Sequence, residues 1–454
     1  MSLSRYPEYK NSKIKWLGDI PSHWSIAPLK RTASCNDTVL SEKTPKDALI
    51  EYVEISDVNS VLGITGSTTY PFSEAPSRAR RLVQDQDVLV STVRTYLKAI
   101  TPVLNPPSNM VASTGFAVIR PDSRHLAGGF LGYLLRSEWI VSKIIARSVG
   151  VSYPAVNASD IMQLNVPVPK KQEQLIISGF LDHESAKIDT LIHEQKRLIE
   201  LLKEKRQAVI SHAVTKGLDP DVPMQYSGVE WLGEVPTHWK VTRGKMVADI
   251  FVPQRNKPEL NDSGDGYCWV TMEDMKTDQI VTSKRYVSNA AIASAGSRVL
   301  KRGAVVASCV GNFGIASVLS TDAVINQQLQ AYIPRGVSAA YLREVIRCSK
   351  RYFDLVGTAA TLAYVNQEGF ANLPIPLPSI AEQGEIELYI EKNKVKFNGA
   401  IFEGIKLIDI LKERRSALIS AAVTGKIDVR NWHQPADESA FDEEVQQAGM
   451  ETTA

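Results

Sequence analysis

From Lys171 to Val214 the chain has no proline and one glycine, Gly179, and its apolar residues recur three and four positions apart. Ile188, Leu191, Leu198, Leu202 and Val209 mark a stripe, with Ile192 and Ile199 beside it and charges between. That alternation predicts a coiled-coil seam, and a helix of this length spans roughly 65 Å. The pattern returns near the end of the chain at Ile401, Ile405, Ile408, Leu411 and Leu418, with Ile419 beside the last. Each helix follows a proline-rich step, Pro167-Val168-Pro169 or Pro374-Ile375-Pro376-Leu377-Pro378. Proline cannot continue a helix inward, so each step ends a strand or loop. Each helix stops at a glycine suited to a left-handed cap, Gly217 or Gly425. One helix cannot bury so long a stripe, so the two copies are expected to pair. A long core helix in an ordinary domain is the blander alternative, but duplication of the helix with both flanks is hard to explain that way.

The duplication is detailed. Leu164–Asp219 and Leu373–Asp428 match at a shift of 209, through Pro167/Pro376, Glu173-Gln174/Glu382-Gln383 and Ala213-Val214-Thr215/Ala422-Val423-Thr424. Such a repeat decides the fold class before any local reading. A second pair opens each half: Trp16–Trp24 reads WLGDIPSHW and Trp231–Trp239 reads WLGEVPTHW. Two tryptophans around a Gly-acid-apolar-Pro turn suit a clamp at the start of a domain; a base-stacking surface is the functional alternative. Between signature and helix, residues 25–165 and 240–373 carry short β-branched runs broken by Gly, Pro, Asn and Ser, which read as strands and turns. Leu126–Val149 and Ala339–Val356 read as shorter helices. The expected fold is α+β: a variable domain over 1–165, a helix over 166–218, a linker and second variable domain over 219–373, a helix over 374–428, and an acidic, disordered tail over 429–454.

Composition narrows the class. The 454 residues carry 44% hydrophobic and 22% charged side chains, as in globular proteins, and the net charge of +2 confines any nucleic-acid contact to local patches. Cys35, Cys268, Cys309 and Cys348 have neither metal-ligand spacing nor a dense disulfide pattern, which suggests a reducing cytoplasm. The polar N-terminus is unlike a signal peptide, and no run approaches the ~20 apolar residues of a membrane span.

The order WLGDIPSHW, variable stretch, PxP-x-x-x-EQ, long helix ending in AVT, all written twice, resembles the specificity subunit of a type I restriction–modification enzyme. Each motif alone is weak, and the duplicated set covers Tyr6 to about Asp428. The resemblance implies two target-recognition domains, each reading one half of a bipartite, asymmetric DNA site, and two long helices that pair antiparallel and space them. It implies two methyltransferase subunits that modify adenine and two motor–nuclease subunits as partners. S-adenosylmethionine, ATP and Mg are then expected on those partners, with no cofactor, metal or catalytic residue in this chain. Duplex DNA is itself pseudo-two-fold, which suits a direct repeat joined by antiparallel helices. At about 3.4 Å per base pair, a one-turn insertion of roughly 5 Å in the helices is expected to change the unread spacer by one to two base pairs.

Base reading needs forked donors and acceptors, and phosphate contacts need cations or hydroxyls. In the first domain Arg78, Arg80, Arg81, Arg94, Tyr96 and Lys98 are the richest set, with Tyr153 and Asn157 on a second polar loop. In the second domain the candidates are Arg298, Asn312, Phe313, Gln327, Gln328, Tyr364 and Asn366, the last in register with Asn157. A solvated charge or turn residue is the alternative at every one of these positions. Lys203–Arg206 and Lys412–Arg415 fit a solvated helix face better than a phosphate contact.

Catalytic readings are weaker. Asn105-Pro106-Pro107-Ser108 resembles the Asn-Pro-Pro-aromatic step of adenine methyltransferases, but Ser108 replaces the aromatic that would stack on a flipped base, and no glycine-rich cofactor loop precedes it. A proline-rich turn fits better. Asp274-Met275-Lys276 has an acid-x-Lys nuclease spacing without a convincing acidic partner, and His183 and His193 lack HExxH spacing. A self-contained restriction or methylation enzyme and a coiled-coil scaffold without base reading stand as the other hypotheses.

Overall fold

The computed structural model describes residues 4–358 and 363–435. Thr361 and the tail acids Asp437, Glu438, Asp442, Glu443, Glu444 and Glu451 lie outside the described residues. The chain forms two compact units, Met1–Gln195 with Lys406–Ala454, and Lys196–Ile405.

In the first unit the β-branched runs form two four-stranded sheets. One is antiparallel, in the order Ile100–Pro102, Val88–Ser91, Phe116–Pro121, Ala33–Cys35. The other orders Thr68–Pro71, Leu49–Val53, Met110–Ser113, Ala79–Leu82, with Leu49–Val53 and Met110–Ser113 parallel. The second unit repeats the plan with five strands, Ala248–Phe251, Leu329–Pro334, Val305–Ser308, Ala316–Leu319 and Gln279–Ile280, and three strands, Tyr286–Val287, Tyr267–Val270 and Ala323–Ile325. Its Tyr267–Val270 and Ala323–Ile325 pair is again parallel. Leu49–Val53 and Tyr267–Val270 each run into a short 3-10 turn closed by a capping box, with Asp57 or Asp274 as the closing acid. Asp274 accepts from the Thr271 backbone N–H at 2.8 Å and its hydroxyl at 2.9 Å, so the acid-x-Lys triplet is a turn.

Each expected short helix is two helices: Gly128–Arg136 with Glu138–Arg147, and Ala339–Cys348 with Lys350–Val356. Both breaks fall at a serine that bonds back into the preceding turn, Ser137 Oγ to Leu134 O and Ser349 Oγ to Val345 O. Such local bonds compete with the helical ladder.

The long helices run Lys171–Lys216 and Ile380–Val423. Their proline-rich leads pair as edge strands with the residues after each tryptophan signature, Asn165–Val168 with Ser25–Pro28 and Pro374–Leu377 with Lys240–Arg243. Two-stranded edges tolerate proline because a missing N–H there leaves no ladder broken. Ile188, Ile401, Ile408 and Leu411 are buried as expected. Elsewhere the stripe is offset by one position. Leu191 and Leu198 face solvent while Ile192 and Ile199 are buried, Ile210 is buried beside half-buried Val209, and Ile419 beside half-buried Leu418. Leu202 is half-buried and Ile405 exposed. Adjacent apolar residues left the phase ambiguous in sequence, and packing buried the isoleucine of each pair.

The duplicated motifs lock each long helix to its domain. Glu173, in the first turn, is 6% exposed and accepts from Trp24 Nε1 at 3.0 Å and Tyr6 Oη at 2.7 Å, with His23 Nε2 at 2.8 Å. Burial, and then the bond to Glu173, push the Tyr6 phenol well above its ordinary range, so it stays a donor. In the second copy Glu382 accepts from Trp239 Nε1 at 2.9 Å and contacts His238 Nε2 at 3.2 Å. Trp24 and Trp239 are buried donors, which excludes them as a base-stacking surface. The neighbouring glutamine does the second half of the work. Gln174 accepts from Ala127 N and donates to Pro169 O, and Gln383 accepts from Ser338 N and donates to Pro378 O. Each glutamine therefore satisfies an N–H ahead of a short helix that would otherwise be orphaned.

Candidate nucleic-acid interface

In each unit a loop leaves the end of one central strand and is tied to the loop that precedes a short helix. In the first unit the loop after Val88–Ser91 forms a bridge from Val93 to Ala155, and Arg94 N donates to Pro154 O at 2.8 Å. Val156 N donates to Thr92 O and Thr92 N to Gly115 O, both at 2.8 Å. In the second unit Val310 bridges Tyr364, Gly311 N donates to Ala363 O at 2.8 Å, Val365 N to Cys309 O and Cys309 N to Gln328 O, both at 2.9 Å. The tying bonds recur one for one, although the first loop is one residue longer and carries a 3-10 turn, Thr95–Leu97, between Arg94 and Lys98. Asn157 and Asn366 end them in register as helix N-caps. Asn366 Oδ1 accepts from Gly369 N at 2.9 Å, and Asn157 Nδ2 reaches Asp160 at 3.3 Å.

The side chains on these scaffolds differ. The first loop presents Arg94, Tyr96 and Lys98 to solvent, and the Arg94 guanidinium lies 4.8 Å from the centre of the exposed Tyr153 ring. Arg78 joins this surface through its carbonyl, which accepts from Thr114 N at 2.8 Å, next to Gly115. Arg80 and Arg81 do not. Both lie half-buried in strand Ala79–Leu82, Arg80 over Phe72 and Arg81 bridged to Val39. Val149 and Val151 stand exposed on the tied loop, Val151 completely; the sequence reading ended a helix at Val149 and named neither valine as a contact candidate.

The second surface presents amides on its loop, with Arg255 as a neighbouring cation. Asn312 and Gln328 are exposed, and Gln328 is held by Asn326 Nδ2 at 3.1 Å. Tyr364 is part-exposed, its phenol pushed up by burial. Gln327 spends its amide on Gln254 O and Arg255 O, at 3.1 and 3.2 Å, beside a small cleft where Arg298 stacks on Phe251. Phe313 is a core residue, 2% exposed and packed against Phe353, so it cannot reach a base. Its side chain fills the apolar space under the loop.

Nothing here is arranged for catalysis by thiols. Burial pushes the Cys35 and Cys309 thiols up to about 11 and Cys348 up to about 12, so each is a neutral, inert thiol at pH 7. Among the described residues no group of His, Cys, Asp and Glu is placed to hold a metal ion, and no helix is long and apolar enough to cross a membrane. Asn105 occupies a left-handed turn whose N–H bonds Asp85, in keeping with the proline-rich turn expected there.

Comparison with known proteins places this geometry. Residues 35–201 and 236–392 each match the type I restriction modification DNA specificity domain. The chain is 22% identical over 258 residues to the type I restriction enzyme EcoKI specificity subunit of Escherichia coli K12, covering 55% of this chain and 53% of that one. It is 23% identical over 421 residues to the HindI specificity subunit of Haemophilus influenzae, covering 78% and 89%. Against EcoKI, and against the MjaX specificity subunit of Methanocaldococcus jannaschii, the chain spans only about half of the relative's length. Among solved structures, one from a study of type I R-M complex assembly and conformational transition superposes with a TM-score of 0.73 at 23% identity, over 89% of this chain and 98% of that one. The HsdS subunit from Thermoanaerobacter tengcongensis superposes with a TM-score of 0.57 at 23% identity, over 90% and 98%. With both halves matched and the same loop scaffold built twice, the chain belongs to the type I restriction modification DNA specificity domain family.

Proposed function

We propose that this chain is the DNA-recognition subunit of a type I restriction–modification assembly, reading a bipartite, asymmetric duplex site and leaving the chemistry to its partners. The observation that carries the reading is the pair of loops, tied by the same backbone bonds and different in exposed side chains. One scaffold presenting two chemistries is what two unlike half-sites require. The partners are two methyltransferase subunits and two motor–nuclease subunits, which bring S-adenosylmethionine, ATP and Mg, and the complex works in the cytoplasm.

The long helices act as an antiparallel coiled coil. In the first unit Ile177, Phe180 and Leu181 share a core with Ile419, Ala422 and Val423, and Asp189 meets Arg415 at 3.2 Å, so advance on one helix is retreat on the other. In the second unit Ile210, Ala213 and Val214 share a core with Ile386 and Ile390, and Arg206 bonds Asn398. Solvent-facing apolar residues on these helices, among them Leu191 and Ile410 in the first unit and Leu198 and Leu388 in the second, supply a docking face for the methyltransferase subunits.

The test is co-expression with the cognate methyltransferase subunit and sequencing that detects methyladenine. A two-part motif with a fixed unread spacer is the expected result, and exchange of residues 25–165 changes only one part. A well-formed complex that methylates without sequence preference, or binds all duplexes equally, returns the chain to a scaffold.

A further inference from the structure

The two tied loops differ most sharply where their backbones are most demanding. Gly311 and Gly314 take left-handed conformations, with φ of 75° and 78°. The bonding pins their counterparts: Arg94 N and Gly311 N make the same bond across the loops, and Ser91 N donates to Ala99 O as Ser308 N donates to Ile315 O. The residues before those carbonyls are Lys98 and Gly314. Arg94 and Lys98 hold the same left-handed backbone, with φ of 50° and 53°. Glycine adopts that conformation freely and an L side chain does so at a cost. The first loop therefore carries its two cations at the two positions where its twin uses glycine.

The cations are not needed to shape the loop. The bond that ties it is made by the Arg94 backbone, and Gly311 makes it equally well at 2.8 Å. Neither side chain is buried, and the Arg94 guanidinium lies over the Tyr153 ring, 4.8 Å from its centre, a contact that limits its rotation. A cation at a left-handed position does not by itself mark a site, since exposed Lys13 stands where the second copy has Gly228 in a turn that both copies share; what sets Arg94 apart is the exposed, tied loop it stands on and the ring that braces it. A planar, braced guanidinium fits the O6 and N7 acceptors of guanine in the major groove, and a flexible ammonium beside it fits a phosphate.

We infer that Arg94, braced by Tyr153, reads a guanine in the half-site bound by the first unit, that Lys98 holds an adjacent phosphate, and that the second unit makes neither contact. This rests on the recognition reading above.

The experiment compares wild type with Arg94→Lys, Arg94→Gly and Lys98→Gly, each co-expressed with the methyltransferase subunit, by methyladenine sequencing, salt-dependent binding to the wild-type motif duplex and thermal melting. Both Arg94 variants should lose discrimination at one G·C pair of one half of the motif, by roughly ten- to a hundredfold, with the other half unchanged. Lys98→Gly should weaken binding to all sequences alike and lower the salt slope by about one. Because glycine relieves the backbone, Arg94→Gly and Lys98→Gly should melt no lower than wild type. A motif unchanged in both Arg94 variants overturns the inference. So does an even loss across all positions, which makes Arg94 a backbone contact, or a marked fall in melting temperature, which makes it scaffold. A wild-type complex that yields no bipartite motif sinks the recognition reading itself, and this inference with it.

Discussion

The duplicated Trp–Glu clamp predicts unequal costs for the same substitution in the two halves. Glu173→Ala removes the acceptor for two buried donors, Trp24 Nε1 and Tyr6 Oη, in residues no more than 3% exposed. A buried donor left without a partner costs about 1–3 kcal/mol, so the pair costs about 4 kcal/mol; His23, part-exposed, regains water and adds little. Glu382→Ala strands one buried donor, Trp239 Nε1, since His238 is half-exposed and the second copy has no phenol on its glutamate. Glu382 is also partly wetted, so its loss is expected to cost about 1–2 kcal/mol. For units of this size each kcal/mol moves the melting temperature by about 2–4 °C. Calorimetry of the full chain should thus show a fall of roughly 8–16 °C for Glu173→Ala and roughly 2–8 °C for Glu382→Ala, with Glu173→Gln between them because it keeps one acceptor oxygen. Equal shifts, or a larger one for Glu382→Ala, would refute the reasoning, because burial and donor count would then not set the cost.

Three further outcomes follow from the packing of the two units. On the first long helix Ile192→Asp should cost at least about 3 kcal/mol in urea unfolding, and Leu191→Asp less than about 0.5 kcal/mol; comparable costs would mean the buried stripe has the other phase. In the second unit Glu344 is almost fully buried against Arg343, Arg347 and Lys394, so Glu344→Ala, which leaves those cations with Asp278 alone, should cost about 3–5 kcal/mol; a neutral result would show the cluster relaxes into water. Burial alone would raise the Asp278 pKa, but hydrogen bonds from Lys394 and Arg347 outweigh it and hold the carboxyl well below the ordinary range. Its stabilisation is therefore present above about pH 5 and lost as pH falls through 4 and below, and Asp278→Asn should flatten that part of the stability–pH curve, modestly because the side chain is part-exposed.

Much of the fold is legible in the sequence because it is written twice. Coincidence of Pro167 with Pro376 and of Glu173-Gln174 with Glu382-Gln383 marks the helix starts, and the structure begins the helices there. What escaped is set by tertiary packing. Leu191 and Ile192 are both apolar, and only the partner surface decides which is buried. Nothing local distinguishes Phe313, under its loop, from Tyr96, on top of its own. The serine breaks at Ser137 and Ser349 interrupt runs whose periodicity reads as continuous. Left-handed backbone at Arg94 and Lys98 leaves no trace in sequence, since glycine is its usual sign and glycine stands only in the other copy.

That asymmetry is also what separates scaffold from site. Within one chain the repeat acts as an internal comparison: features retained in both copies serve what both domains must do, and features that diverge serve what each does alone. The Trp–Glu clamp, the glutamine that satisfies an N–H ahead of a short helix, the capping boxes at Asp57 and Asp274 and the loop-tying bonds from Arg94 N and Gly311 N all recur. They hold a loop in place without regard to what it presents. At the exposed tips Arg94, Tyr96 and Lys98 on one scaffold stand against Asn312, Gln328 and two glycines on the other. A rigid frame with a variable tip lets exposed side chains change without unfolding the domain; on the proposed reading, the exchange of Arg94 and Lys98 for their glycine counterparts should then alter what is read while leaving the fold intact.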